Sequence, residues 1–136
     1  MERRVPMKFE KTKKKVATLG LLAALTLGFA APAFAASFTN VTLGPWWEDV
    51  SIVSGTKYSG SGTALISVSS SSKNGGNFWI TKDGNQCSYS VDVHVNQSKG
   101  SSYYNSGTSG TVVLHGHQYG YGSGTDYVTG SVNFNN

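Results

Sequence analysis

The chain has 136 residues, with eleven Lys plus Arg, seven Asp plus Glu, 17 Gly and one Cys, which is enough for one domain and a processed segment. Seven of the eleven basic residues precede residue 16; from residue 36 onward four lysines face five acids, for a net charge of −1. The basic character therefore belongs to the N-terminus. That excludes a basic nucleic-acid-binding domain, and the single cysteine excludes an internal disulfide framework.

Residues 1–35 read as an export segment. Met7 offers an internal start, and a lysine-rich stretch ends at Lys15. Val16 to Ala30 is apolar, Pro32 breaks a helix, and Ala33-Phe34-Ala35 carries the small residues that signal peptidase reads. The apolar run is short for a stable membrane span, and no lipid-anchoring cysteine follows it. Cleavage after Ala35 would release residues 36–136 outside the cell.

The secreted part is rich in Ser, Gly, Thr and Asn, and its apolar mass is largely Val and Tyr. Residues of that kind favour pleated strands, and the apolar spacing shows period 2 rather than 3.6. In chain order, strands are expected at Phe38–Leu43, Glu48–Val53, Thr63–Ser70, Asn77–Lys82, Cys87–Val95, Gly110–Gln118 and Tyr127–Phe134. Asp83-Gly84-Asn85 suits a tight hairpin turn and pairs the Trp79 strand with the Cys87 strand. Residues 97–110 offer little to bury and read as loop or disorder. About seven short strands separated by Gly-rich breakers predict an all-β fold, a single antiparallel β-sandwich.

Three groups of side chains are candidates for function. Trp46-Trp47 follows Gly44-Pro45; alternation would bury one indole, anchoring the sandwich, and expose the other for stacking on a sugar or lodging at a membrane interface. Tyr119 and Tyr121 lie in a Gly/Ser-rich stretch, a composition suited to adaptable binding loops. His115 and His117 share one strand face, as do Asp92 and His94; if the two strands paired, His94, His115 and His117 could hold zinc or copper. Cys87 shares the face of Tyr89, Val91, Val93 and Val95 and reads as a core thiol. The other readings for an odd extracellular cysteine are a mixed disulfide and a covalent homodimer. Hydrolase and phosphate-loop signatures are missing, and five acids leave few carboxylate pairs for glycoside cleavage. The expectation is a protein without catalytic residues or a cofactor.

The export segment, together with Ser109-Gly110-Thr111-Val112-Val113-Leu114 and Tyr127-Val128-Thr129-Gly130-Ser131-Val132, resembles small secreted β-sandwich proteins of Gram-positive, Bacillus-like bacteria whose function is not established. The Gly/Ser/Tyr/His-rich secreted region also faintly resembles the lactococcin-972 type of bacteriocin. The Gly-Thr-Trp opening of that group is echoed only by Gly44-Pro45-Trp46, so no functional residue is carried over. These features point to a secreted, non-enzymatic protein acting at a cell surface, either bacteriocin-like or binding a carbohydrate or other envelope component. The alternatives are a self-associating matrix protein and a metal-binding secreted protein.

Overall fold

The computed structural model describes residues 35–120 and 124–136. The export segment up to Phe34 lies outside the described residues, as does Tyr121. The described chain is all β: β1 (Ala35–Leu43), β2 (Val50–Lys57), β3 (Thr63–Ser71), β4 (Gly76–Lys82), β5 (Asn85–Gln86), β6 (Val91–Val93), β7 (Gln97–Ser102), β8 (Gly110–Gln118) and β9 (Asp126–Asn133). None of it is a helix long and apolar enough to cross a membrane.

Two antiparallel sheets share one core. The first has the order β1-β9-β3-β7; the second has the order β2-β8-β4-β5, with β6 also paired to β4. The chain changes sheet at nearly every connection, so most loops bridge the two layers. The exceptions are the connection from β5 to β6 and the β4–β5 hairpin, where Lys82 pairs with Asn85. Its two turn residues, Asp83 and Gly84, have φ of 53° and 81°, the left-handed pair that a two-residue turn between twisted strands requires.

The period-2 residues meet in the middle. Ala64, Ile66 and Val68 of β3 and Val128 and Val132 of β9 face Phe78 and Ile80 of β4 and Val112 and Leu114 of β8, all almost fully buried. Each large apolar side chain removed from water in this way stabilises the fold by about 1.5–3 kcal/mol. Phe38 and Leu43 also enter the core, although five positions apart they would lie on opposite faces of a regular strand. A bulge between Phe38 and Val41 resolves this. It turns on Asn40, at φ 48°, a conformation asparagine tolerates better than most residues.

Gly130 sits at the crowded centre of the first sheet, opposite Phe38 on one side and Val68 on the other. A Cβ there would overlap the Ser67 carbonyl oxygen and approach the Phe38 ring to 2.9 Å. Because backbone cannot yield as a side chain can, Gly130→Ala is expected to destabilise the fold by about 3 kcal/mol. Urea unfolding should show a lower midpoint with an unchanged slope.

Two expected segments are corrected. Residues 97–110 are not wholly loop: β7 forms six regular pairs with β3, from Thr63↔Ser102 to Val68↔Gln97. It is a polar edge strand with only Ser101 buried, so it carries no hydrophobic pattern to read. The run Cys87–Val95 is not one strand either. Ser88 turns inward, fully buried, accepting the Ile80 N–H at 2.8 Å and lying 2.8 Å from Ser101 Oγ. Its neighbour Tyr89 is thereby exposed rather than on the face of Val91 and Val93. A buried hydroxyl has replaced one rung of the ladder, and the run is reduced to an isolated bridge at Ser88 and the three-residue β6.

Cys87 lies at that break, half-buried against the core. Burial pushes its thiol pKa up, with Lys57 and Lys82 opposing the shift weakly. The thiolate is the reactive form, so the native protein should react with iodoacetamide at pH 8 at least about tenfold more slowly than the urea-unfolded chain. Equal rates would show that Cys87 is freely accessible.

Candidate functional site

The strand registers place four connections at one end of the molecule: residues 44–49, 72–75 and 94–96, and the described ends of the β8–β9 connection, 119–120 and 124–125. Val50 pairs with Gly116 and Gly76 with both Gln118 and Val93, so the Trp46, His94 and Tyr119 segments all emerge there. The segments are tied at their bases. Gln118, 1% exposed, donates its backbone N–H to the Gly44 carbonyl at 2.9 Å and its side-chain amide to the Gly124 carbonyl at 2.8 Å. It accepts from Lys73 Nζ at 2.9 Å. The fully buried Asp126 carboxylate accepts from the hydroxyls of Ser71 and Ser72 and from the Lys73 backbone N–H, at 2.6–3.0 Å. Polar groups that are buried but satisfied in this way rigidify what they join.

A shallow groove of about 550 Å³ opens at this end on the outer face of the second sheet, lined by Trp46, Asn77, Asp92, His117, Tyr119 and Gly120. Its floor follows from register: Asn77 of β4 pairs with His117 of β8 on one side and Asp92 of β6 on the other, and side chains of paired residues point to the same face. Asn77 Nδ2 donates to Asp92 Oδ1 at 2.8 Å. His117 Nδ1–H donates to the Gln118 carbonyl at 2.8 Å, which leaves Nε2 of the neutral ring an acceptor. Trp46 and Tyr119 form the walls, 47% and 43% exposed. The His94 ring braces Tyr119, with centroids 4.5 Å apart.

The groove continues onto an aromatic row. Trp79 lies between His115, stacked at 6.0 Å and 15°, and His117, tilted at 5.5 Å. His115 is held at both ring nitrogens, by Asp49 Oδ1 at 2.5 Å on Nδ1 and Thr81 Oγ1 at 2.7 Å on Nε2. This carboxylate–imidazole–hydroxyl chain has the connectivity of a nucleophilic triad. Thr81, however, is only 6% exposed and is paired on both sides, with Val113 and Gln86, so a substrate does not reach its oxygen. What the chain does is fix the imidazole that Trp79 stacks against.

Trp46, Tyr119 and His117, all singled out from the sequence, therefore come together. Trp47 stands beside them, packed edge-on against Trp46 at 5.7 Å and 61% exposed. The expected alternation of one buried and one exposed indole fails because residues 45–48 form a turn, closed by Glu48 N–H to the Pro45 carbonyl at 2.8 Å, and not a strand. The three histidines do not converge. The β4 strand lies between β8 and β6, and His94 has left β6 to pack on Tyr119. Among the described residues no three His, Cys, Asp or Glu side chains are close enough to hold a metal ion. Asn77, Trp79, Asp49 and Thr81 were not distinguished as site residues by the sequence. Their signal is the period-2 face that Asn77, Trp79 and Thr81 share on β4, which acquires meaning only once β8 and β6 are known to flank it.

No protein-family model, curated protein or solved structure matches the chain.

Proposed function

We propose that this is a secreted, non-enzymatic protein that binds carbohydrate of a cell envelope through the groove and aromatic row of its second sheet. The observation that carries the reading is the pairing of two half-exposed rings, Trp46 and Tyr119, with a polar floor of Asn77, Asp92 and His117. A sugar has apolar C–H faces and a rim of hydroxyls. Aromatic walls accommodate the first and a few fixed polar groups orient the second. Export is supported by the segment up to Ala35. A binding role rather than a cleaving one is supported by the lining: Asp92 is its one carboxylate among the described residues, whereas glycoside cleavage uses two that flank the bond.

The test is retention of residues 36–136 on purified peptidoglycan and on whole bacterial cells, with growth of neighbouring strains as a second readout for a bacteriocin-like action. The proposal expects retention on the insoluble glycan, reversed by soluble glycan fragments. A protein recovered entirely in the unbound fraction from both materials overturns it.

A further inference from the structure

Resting on the carbohydrate reading, we infer that the sugar carries a free, protonated amine: the groove takes an amino sugar whose nitrogen is not acylated. The floor is rich in acceptors. Asp92 Oδ1 is occupied by the Asn77 amide, which leaves its second carboxylate oxygen and the Asn77 carbonyl oxygen to accept. His117 adds Nε2, since its Nδ1–H is committed to the Gln118 carbonyl. An ammonium group supplies three N–H donors and no acceptor. A hydroxyl or an acetamide brings an acceptor of its own and no charge.

The walls and the charge distribution favour the same ligand. The negative faces of indole and phenol attract a cation placed over them, and Trp46 and Tyr119 border the groove that holds the carboxylate. Glu48 and Asp49 lie in the segment that carries Trp46. The lysines lie mostly elsewhere: Lys82 pairs with Asp83 at the far end at 2.9 Å, Lys57 is buried at the far end, and Lys99 is on β7 of the other sheet. Lys73 is the lysine at the groove end, and its ammonium is bonded to Gln118 Oε1. A carboxylated or phosphorylated sugar would meet like charge on the floor.

The experiment is calorimetric titration of residues 36–136 with glucosamine oligomers and N-acetylglucosamine oligomers of equal length, at a pH where the free amine is protonated. The amine form should bind about tenfold more tightly or better, as expected for a charge-assisted contact. In Asp92→Asn, which keeps the shape of the floor, the difference should fall to about twofold or less, and 0.5 M salt should narrow it in the wild type. Equal binding of the two oligomers, or a preference that survives Asp92→Asn, overturns the inference and leaves the carbohydrate reading standing. Failure of both oligomers to bind removes both.

Discussion

Replacing Lys57 with methionine is expected to destabilise the protein by about 3 kcal/mol, even though the exchange preserves volume and removes a charge. Lys57 ends β2 with no exposed surface. Its ammonium donates to the carbonyls of Tyr58, Ser106 and Thr108 at 3.1, 2.8 and 2.8 Å and lies 4.5 Å from the centre of the Tyr103 ring. No carboxylate pairs with it among these contacts. Its charge is met by three carbonyl dipoles and an aromatic face, which together pin the 103–109 connection. Burying the charge has a cost, and desolvation accordingly lowers the Lys57 pKa, against a weaker opposing effect of Cys87. Losing the ammonium costs more, because each buried carbonyl left without a donor forfeits about 1–3 kcal/mol. The sum stays well below three full penalties because Ser106 and its neighbours lie near water. A Lys57→Met protein as stable as the wild type in urea would show that the carbonyls rehydrate freely. Hydrogen exchange should localise the loss to residues 103–109.

The same cluster sets the alkaline limit of stability. Burial raises the pKa of Cys87 and of Tyr103, whose hydroxyl donates to the Phe134 carbonyl at 2.8 Å. Groups held protonated in the fold contribute stability that is complete below their unfolded pKa and is lost as pH rises through the folded value. Lys57, with its pKa lowered, acts in the opposite sense: its contribution is fullest above the unfolded value and falls as pH drops through the folded one. The Cys87 contribution is the first to be lost on raising pH and that of Tyr103 follows at the higher phenol range, so unfolding free energy should decline from about pH 8.5 upward, where a free thiol begins to ionise.

The second large effect is on binding. Trp46→Ala and Tyr119→Ala should each weaken affinity for a soluble oligosaccharide about tenfold, the usual scale for truncating an aromatic contact at the centre of a site. Melting temperature should change by no more than about 2 °C, because both rings are half-exposed and outside the core. Tyr89→Ala is the control. That ring pairs edge-on with Tyr104 at 4.7 Å at the opposite end of the molecule, and its loss should leave affinity unchanged. Equal losses at both ends would mean that affinity follows exposed aromatic surface in general and not the groove.

Much of the fold was legible because apolar period 2 is a strong signal wherever one strand face is buried. The β8 strand spans Gly110–Gln118 as read, and in the strand expected at Thr63–Ser70 the alternating Ala64, Ile66 and Val68 form a buried face. Asp83-Gly84 marked its hairpin because only a few residues accept its two left-handed positions. Polar substitution defeated the pattern elsewhere. The Ser88 hydroxyl occupies the interior where alternation demanded Tyr89, and β7 is held by ladder hydrogen bonds with almost nothing to bury. The site was half legible. Composition could mark Trp46 and Tyr119, since Trp and Tyr among Gly and Ser are suited to exposed contact. It could not say that Asn77 joins His117 to Asp92, because that depends on β4 lying between β8 and β6, a long-range pairing with no local trace. The same missing fact allowed His94, His115 and His117 to be imagined around one metal.

The most direct test of the groove as a saccharide site is a titration of isotope-labelled residues 36–136 with a soluble glycan oligomer, followed by amide and indole NMR resonances. A saccharide-binding groove predicts saturable shifts at the Trp46 indole, Asn77, Asp92, His117 and Tyr119, with Tyr89, Tyr104 and the β7 amides unmoved. Shifts centred on the Tyr89–Tyr104 end, or none at saturating oligomer, would contradict it.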